Sequence, residues 1–318
     1  KFLVNTNVTE ITTDHSYFKF INTSYCTLED MSLYNGVNYI ALDKAQGTRI
    51  TNVHMNNETI TDNVIGININ GRSVSSKFRQ VTMNFILNTN CTAINCGGWA
   101  QDLHFDWIET TGCDFVFHIK NTIATAPGDI IIKNSVLDLV KGYAFLFENM
   151  VGEDRYKNCN IISDCYITPY NNNIKLLRFN TVNNTVVSHI NASNINNNDA
   201  IDFISLNNCA NIIVSNNILV NINRFFVAIN SKYINVENNI HTSDLYAAQS
   251  FITVSGSSFI ICSGNNSNGL ISTFISIDSI SNYCNVINNI LHALNGSSGA
   301  VTIASTTCIN ENNNIVRE

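Results

Sequence analysis

A short phrase returns along the whole chain at intervals of 22 to 32 residues: an apolar residue, two polar residues, an apolar or small residue, any residue and a further apolar residue. The second polar residue, which we call the repeat position, is most often Asn or Asp. In chain order the repeat position holds Asp30, Asn52, Gln80, Asp102, Asn134, Asp164, His189, Asn216, Asn238, Gly264, Asn288 and Asn313. A repeat of this length is typical of a solenoid, in which each repeat forms one coil stacked on the next.

The residues between repeat positions favour strands over helices. Apolar residues alternate in short phrases such as 39–42, 66–69 and 227–229, which are joined by Asn, Gly and Ser, and the chain has only 2 prolines. This period of two predicts an all-β fold, a parallel β-helix of about twelve coils spaced about 4.8 Å apart. We expect a single domain over 1–318, with 1–20 as an irregular lead-in, and the pattern suggests a piece of a longer chain. Asn at the repeat position is expected to adopt a left-handed backbone and to hydrogen-bond its counterpart one coil away.

Composition narrows the classes of partner. Hydrophobic residues make up 45% of the chain, enough for a continuous core, and only 13% are charged. The net charge of −7 disfavours nucleic acid and anionic membrane surfaces. No apolar run is long enough to span a bilayer, so no membrane insertion is expected. The 10 cysteines form no CxxC pair and no metal-binding spacing with His, which predicts free thiols, assembly in a reducing compartment, and neither metal nor cofactor.

The paired asparagines after a short strand carry a resemblance. VSNNIL at 214–219, VENNIH at 236–241 and VINNIL at 286–291 resemble the right-handed parallel β-helix of the pectin-lyase-like superfamily. Within it, the irregular coil lengths and the abundance of Asn are most similar to phage tailspikes. That resemblance implies a homotrimer in the virion tail, assembled in the host cytoplasm beside other tail proteins. It would act at the host cell surface, where it binds and often cleaves capsular, O-antigen or cell-wall polysaccharide.

Candidate catalytic residues lie in the two longest repeats. Loops 120–129 and 148–158 are expected to project side by side and to wall a groove. Asp106 and Asp138 each lie four residues past a repeat position on neighbouring coils, so stacking predicts about 5 Å between them. That separation suits a retaining glycosidase, and Glu109 offers the longer separation of an inverting enzyme. The alternative is that Asp106 and Asp138 are solvated turn residues.

Further residues near these coils are candidates for holding a sugar. We expect Trp99 and Tyr156 to stack on sugar rings, and Lys120 to form an ion pair with Glu148 across two coils. The candidate binding residues are Trp99, His104, His118, Glu148, Glu153, Asp154, Arg155 and Tyr156. A rival acidic pair, Asp199 and Asp202, is similar to the first acidic motif of polygalacturonases, but the later motifs of those enzymes are missing.

Three functions remain open at this point. The first is a tailspike or receptor-binding protein that cleaves a bacterial glycan with two carboxylates. The second is a structural or adhesive β-helix without catalysis, as a virion fibre or a surface adhesin. The third is a free-standing polysaccharide hydrolase or lyase that works as a monomer.

Overall fold

The computed structural model describes residues 16–58, 62–121, 129–150, 159–170, 174–194, 201–293, 300–310 and 315–317. Within these ranges, the side chains of 99–100, 243–250, 269–274, 291–293, 300, 310 and 315–317 are not described. Contacts divide the chain into two compact units, Lys1–Tyr170 and Asn171–Glu318. The expectation of one domain over 1–318 stays a prediction. Among the described residues, no helix is long and apolar enough to cross a membrane.

Every element that the structure describes is a strand. Unit 1 contains β1 (Ser16–Ile21), β2 (Thr27–Tyr34), β3 (Asn38–Asp43), β4 (Arg49–Asn56), β5 (Ile65–Asn84), β6 (Thr92–Thr111), β7 (Phe115–Lys120), β8 (Ile130–Lys133), β9 (Val136–Val140), β10 (Tyr143–Met150), β11 (Asn160–Ser163) and β12 (Tyr166–Pro169). Unit 2 contains β13 (Lys175–Ser188), β14 (Asn191–Ser193), β15 (Asp202–Asn207), β16 (Ala210–Ser215), β17 (Ile218–Val220), β18 (Arg224–Ile229), β19 (Lys232–Glu237), β20 (Ile240–Ser255), β21 (Ser258–Ser263), β22 (Asn266–Ile277), β23 (Asn285–Ile287), β24 (Ile290–Ala293), β25 (Ala300–Ile303), β26 (Ile309–Asn310) and β27 (Ile315–Arg317).

Strands pair in parallel with the strand one coil later, so each unit is a stack of coils. In unit 1, one sheet runs β1–β3–β5–β6–β7–β10 and a second runs β2–β4–β5–β6–β8–β11. A third face continues from β6 through β9 to β12. In unit 2, the sheets run β13–β15–β18–β20–β22–β25, β13–β16–β19–β21–β23–β26 and β14–β17–β20–β22–β24–β27. The predicted all-β parallel solenoid is confirmed.

Apolar side chains point inward at alternate positions along each strand and fill the core. In β19, Ile234 and Val236 are buried while their neighbours face outward. Aromatic rings stack along the inside of each unit: Phe78 lies 4.5 Å from Phe105 in unit 1, and Phe225 lies 4.9 Å from Phe251 in unit 2, both measured between ring centroids. Because parallel strands pair residue for residue, inward positions stay inward from coil to coil, and the apolar phrases form one continuous interior within each unit.

The repeat position adopts the expected left-handed backbone. Its φ lies between 53° and 63° at all positions from Asp30 to Asn288, and Asn313 lies outside the described residues. Asn is the residue best suited to this conformation after Gly, because its short polar side chain bonds locally. The abundance of Asn at this position therefore has a backbone cause.

The amide ladder lies one residue later than predicted. In unit 2, Asn217, Asn239, Asn265 and Asn289 are fully buried, and each Nδ2 donates to the Oδ1 of the next at 2.8, 2.9 and 3.0 Å. Asn239 Nδ2 also donates to the Val214 carbonyl at 3.0 Å. In each NN pair, the first Asn forms the left-handed turn and is exposed, whereas the second Asn is buried in the interior. Only the second Asn needs protein partners for its amide, because water cannot reach it.

Candidate functional site

Two left-handed corners, five residues apart, bound the second sheet in most of the described coils. In unit 1 the later corner contains Asn52, Gln80, Trp107 and Asn134, with φ of 53°, 54°, 60° and 53°. Asp102, with φ of 54°, belongs to the earlier corner together with Gly47 and Ser75, because Leu103 pairs with Ser76. The assignment of Asp102 to the same column as Asn134 is therefore wrong, and Trp107 holds that place.

An open groove lies beside this later corner. It has a volume of about 190 Å³ and is lined by Asn52, His54, Gln80, Thr82, Trp107 and Glu109. The pairing of β4 with β5 and of β5 with β6 aligns His54 with Thr82 and Thr82 with Glu109. The lining is thus two columns of three residues each, on three consecutive coils. Strand backbones hold all six residues, so the site is rigidly supported.

Trp107 and Glu109 form the part of the groove with the most distinctive chemistry. The Trp107 side chain is about half exposed, at 48%. Its Nε1–H donates to Glu109 Oε1 at 3.0 Å, which fixes the indole relative to the carboxylate. At the other end, Asn52 Nδ2 donates to Asp30 Oδ1 at 2.7 Å. The groove therefore combines one large apolar plane with amide, hydroxyl, imidazole and carboxylate groups.

Asp106 does not pair with Asp138. The register places Asp106 beside Lys133 on the next coil and beside Arg79 on the previous one, while Asp138 lies beside Thr111. The cause is the corner assignment described above, which shifted one coil by five residues relative to the next. The predicted separation of about 5 Å between the two carboxylates is therefore contradicted by the strand register.

The surroundings of the two carboxylates also differ. Asp106 accepts from Asn134 Nδ2 at 2.8 Å and lies 3.6 Å from Arg79 Nε, so neighbouring groups compensate its charge. Asp138 Oδ1 accepts from the Leu139 N–H at 3.0 Å and from the Thr168 hydroxyl. Leu139 has a left-handed φ of 51°, so the Asp138 carboxylate holds a turn. A catalytic part for either residue stays a prediction.

The remaining candidates divide into three groups. His104 Nε2 contacts Asp102 Oδ1 at 2.9 Å, and His118 Nε2 contacts Glu148 Oε2 at 3.1 Å. Lys120 aligns with Glu148 as predicted, but the side-chain contact of the Glu148 carboxylate is with His118. Outside the described residues lie Asp199, Glu153, Asp154, Arg155, Tyr156, the side chain of Trp99 and most of loops 120–129 and 148–158.

Asp202, the described half of the rival acidic pair, is bound to an arginine. Its two carboxylate oxygens accept from Arg224 Nε at 2.9 Å and from Arg224 Nη2 at 2.6 Å. The Asp202 residue is only 5% exposed. This bidentate geometry is typical of a structural ion pair, because both oxygens are already occupied.

No protein-family profile matches this chain, and no curated protein matches it in sequence. Among solved structures, the chain is similar to tailspike protein 3 of bacteriophage CBA120, with 11% sequence identity and a TM-score of 0.41. The match covers 87% of this chain but only 43% of that one, so the chain spans less than half the length of the tailspike.

Burial holds His241 and several cysteines of the interior in their neutral forms. Burial lowers the pKa of His241 to about 4, although the Ile222 carbonyl opposes this by accepting from the ring at 2.6 Å. The predicted free thiols are confirmed, and most are buried. Burial raises the pKa of Cys96 and of Cys165 to about 12. Among the described residues, no three His, Cys, Asp or Glu side chains are grouped to hold a metal ion.

Sequence reasoning selected Glu109 but missed the rest of the groove. Asn52, His54, Gln80 and Thr82 come from two other coils, and their phrases differ from other repeats in no obvious way. A signal was nevertheless present at Trp107. A large aromatic residue at a corner that otherwise holds Asp, Asn or Gln in unit 1 is exposed and unfavourable for the backbone, which indicates a use outside folding.

Proposed function

We propose that this chain is a tailspike-like β-helix that binds a bacterial surface polysaccharide in the groove of Trp107 and Glu109. The observation that carries this proposal is the exposed indole fixed beside a carboxylate, with His54, Gln80 and Thr82 within the same groove. A sugar ring has a C–H face that packs on an aromatic plane and a rim of hydroxyls that bond amides, hydroxyls and carboxylates.

The open shape of the groove favours a polymer over a small molecule. Its two columns run across three coils at a spacing of about 4.8 Å, so equivalent contacts repeat along one direction. An extended glycan can lie along such columns and use one set of contacts for each sugar. The net charge of −7 favours a neutral or cationic glycan over a strongly anionic one.

Cleavage is the second part of the proposal, and Glu109 is the residue assigned to it. Glu109 is the carboxylate that lines the groove, so a bound glycosidic oxygen lies within its reach. In the proposed reaction Glu109 donates a proton to the leaving oxygen. Asp106, which immediately precedes Trp107 in the chain and accepts from Asn134 Nδ2, is the second carboxylate, either as nucleophile or as base for water.

The biological setting forms the rest of the proposal. We assign the chain to a phage tail, as a homotrimer that contacts other tail proteins and acts at the host surface after assembly in the host cytoplasm. Capsular, O-antigen and cell-wall polysaccharides are the substrate class. A purely adhesive β-helix would use the same groove for binding and leave Glu109 without a chemical role.

The test uses binding of the full chain to a panel of purified capsular polysaccharides and O-antigen lipopolysaccharides. Trp107→Asn is the main variant, because Asn52 and Asn134 occupy the same corner column with the same backbone. Loss of one aromatic anchor should weaken binding at least about tenfold. Tyr25→Asn is the control, since Tyr25 is 73% exposed at a left-handed corner outside the groove. Equal affinity of both variants and the native chain would refute the site.

A further inference from the structure

Two cysteines near the end of unit 2 face each other on consecutive coils. β23 pairs with β26 in parallel, with Asn285 beside Ile309, and Cys284 and Cys308 are the residues just before them. The Ile309 N–H donates to the Cys284 carbonyl at 2.8 Å, and the Cys284 N–H donates to Cys308 Sγ at 3.3 Å. The two thiol groups contact each other. The register therefore holds two free thiols together at one place in the stack.

The backbone separation of this pair suits a disulfide. Neighbouring strands of a sheet lie about 4.8 Å apart, and facing residues of parallel strands point to the same side. A disulfide needs Cα atoms about 4.4–6.8 Å apart. A bond between Cys284 Sγ and Cys308 Sγ thus requires only rotation of the two side chains, while both strands keep their places.

The two thiols differ in their access to solvent. Cys284 is 1% exposed, whereas Cys308 is half-buried. Burial raises the pKa of Cys284 to about 12, and the neighbouring Cys308 thiol adds to this effect. Cys308 is therefore the thiol that a reagent in solution meets first. Cys284 is reached through Cys308, because the two side chains are in contact.

A second pair of touching thiols lacks these properties. The Cys91 and Cys113 thiols also contact each other, but both residues are completely buried. Their backbones do not face each other either, because the pairing of Thr92 with Phe115 places Asp114 opposite Cys91. The pair at the end of unit 2 differs in having both a facing register and a route to solvent.

We propose that Cys284 and Cys308 form a redox-active pair, which closes into a disulfide by exchange with a small disulfide such as oxidised glutathione. Cys308 loses its proton to solvent, and its thiolate attacks one sulfur of the reagent, which forms a mixed disulfide and releases one glutathione thiolate. The Cys284 thiol then gives up its proton, and its sulfur attacks Cys308 Sγ and releases the second glutathione. The two cysteines lose two electrons and two protons in total, and the reagent is reduced to two thiols.

The disulfide fastens the coil of Cys308 to the coil before it. It lies beside the hydrogen bond from the Ile309 N–H to the Cys284 carbonyl, so hydrogen exchange of this N–H should slow at least about tenfold after closure. The pair is open in a reducing compartment and closes in oxidising surroundings. The groove of Trp107 and Glu109 takes no part, so this inference and the proposed function can fail independently.

The test follows the reaction by peptide mass spectrometry. Cys159→Ser is the starting chain, because the exposed Cys159 would compete for the reagent. The folded chain is incubated with oxidised glutathione at about pH 8, quenched with acid at intervals, alkylated and digested. We expect a glutathione adduct at Cys308 first, and then a peptide that links Cys284 to Cys308. Closure of the adduct should accelerate about tenfold for each unit of pH, because the thiolate fraction of Cys284 rises in that proportion.

Two single substitutions separate the steps. Cys284→Ser should stop the reaction at the Cys308 adduct, and Cys308→Ser should give neither product. Cys209→Ser is the matched control, because Ser231 and Ser257 occupy the same position on the next two coils. This control should leave both products unchanged.

A Cys308 adduct that forms and never closes in the starting chain would overturn the proposal, and that result does not depend on the folding of any variant of the pair. So would a folded starting chain in which Cys308 does not react. A disulfide from Cys284 to another cysteine, such as Cys262, would contradict the assigned partner. Equal exchange of the Ile309 N–H in the open and closed forms would contradict the fastening of the coil.

Discussion

The indole N–H of Trp107 donates to the Glu109 carboxylate at 3.0 Å across a left-handed corner. The two side chains belong to one short segment, yet the groove they form needs Gln80 and Thr82 from the previous coil and Asn52 and His54 from the coil before that. The strand register places these six residues together. We therefore propose Glu109 as the carboxylate that a bound glycan contacts.

Substitution of Glu109 should separate binding from cleavage. Glu109→Gln keeps an oxygen that can accept from the Trp107 indole, so we expect polysaccharide affinity within about threefold of native. Depolymerisation should fall at least about a hundredfold, because an amide cannot donate the required proton. Size-exclusion chromatography of the glycan after incubation measures this. Unchanged chain shortening by Glu109→Gln would remove Glu109 from the reaction.

The buried asparagine ladder should dominate the stability of unit 2. Asn239 Oδ1 accepts from Asn217 Nδ2 and from the Asn217 N–H, and Asn239 Nδ2 donates to the Val214 carbonyl and to Asn265 Oδ1. Asn239→Ala removes these four hydrogen bonds. Leaving these buried groups unpaired should cost about 2–5 kcal/mol in the free energy of unfolding. Asn238→Gly is the matched control: Asn238 is exposed with φ of 54°, and Gly accepts that conformation. Denaturant unfolding should show a change below about 1 kcal/mol for the control.

Stability should fall as the pH drops through the range where His241 is protonated in the unfolded chain. The folded pKa, about 4, lies below the ordinary value of 6.5, because burial disfavours the charged ring. The neutral ring thus contributes stability that is fully present above pH 6.5 and is lost progressively down to about pH 4. The loss is about 3 kcal/mol. The slope of unfolding free energy against pH over this window should decrease in His241→Leu; an equal slope would show that His241 is not its source.

Removing one partner of the ion pair of Asp202 and Arg224 should destabilise the fold more than replacing both, because a single substitution leaves a nearly buried charge unpaired. Arg224→Met leaves the nearly buried Asp202 carboxylate without its two donors, and we expect a loss of about 3–5 kcal/mol. Replacing both residues, by Asp202→Asn with Arg224→Met, should recover a large part of that loss, because no unpaired charge remains. Thermal unfolding of the two single variants and the double variant measures this coupling. Additive losses would contradict it.

Thiol reactivity should be confined to the surface. Cys159 is exposed and Cys308 half-buried, while the other eight cysteines are buried. Burial raises the pKa of Cys209 to about 11, so such thiols are poor nucleophiles at neutral pH. A disulfide reagent should label Cys159 first, and Cys159→Ser should remove the fastest phase. Rapid labelling of several further thiols in folded protein would show that the interior opens.

The sequence was sufficient to predict the coils, but it did not predict the register between the coil of Trp107 and the coil of Asn134. The NN pairs and the alternating phrases predict strands, turns and stacking, because each coil obeys the same local rules. Asp102 and Trp107 both occupy left-handed corners, and their phrases satisfy the same pattern. Only hydrogen bonds to neighbouring coils decide which corner stacks on Asn134. The Asp106–Asp138 pair was predicted from the wrong alternative, and the groove could not be found without the right one.

The central claim is that a polysaccharide lies against Trp107. The chain has 2 tryptophans, so Trp99→Phe makes Trp107 the sole indole. Titration of this variant with a bacterial polysaccharide that the native chain binds should shift the Trp107 emission to shorter wavelength, with a midpoint equal to the dissociation constant measured by an independent method. Saturable binding that leaves the emission of Trp107 unchanged would contradict the account.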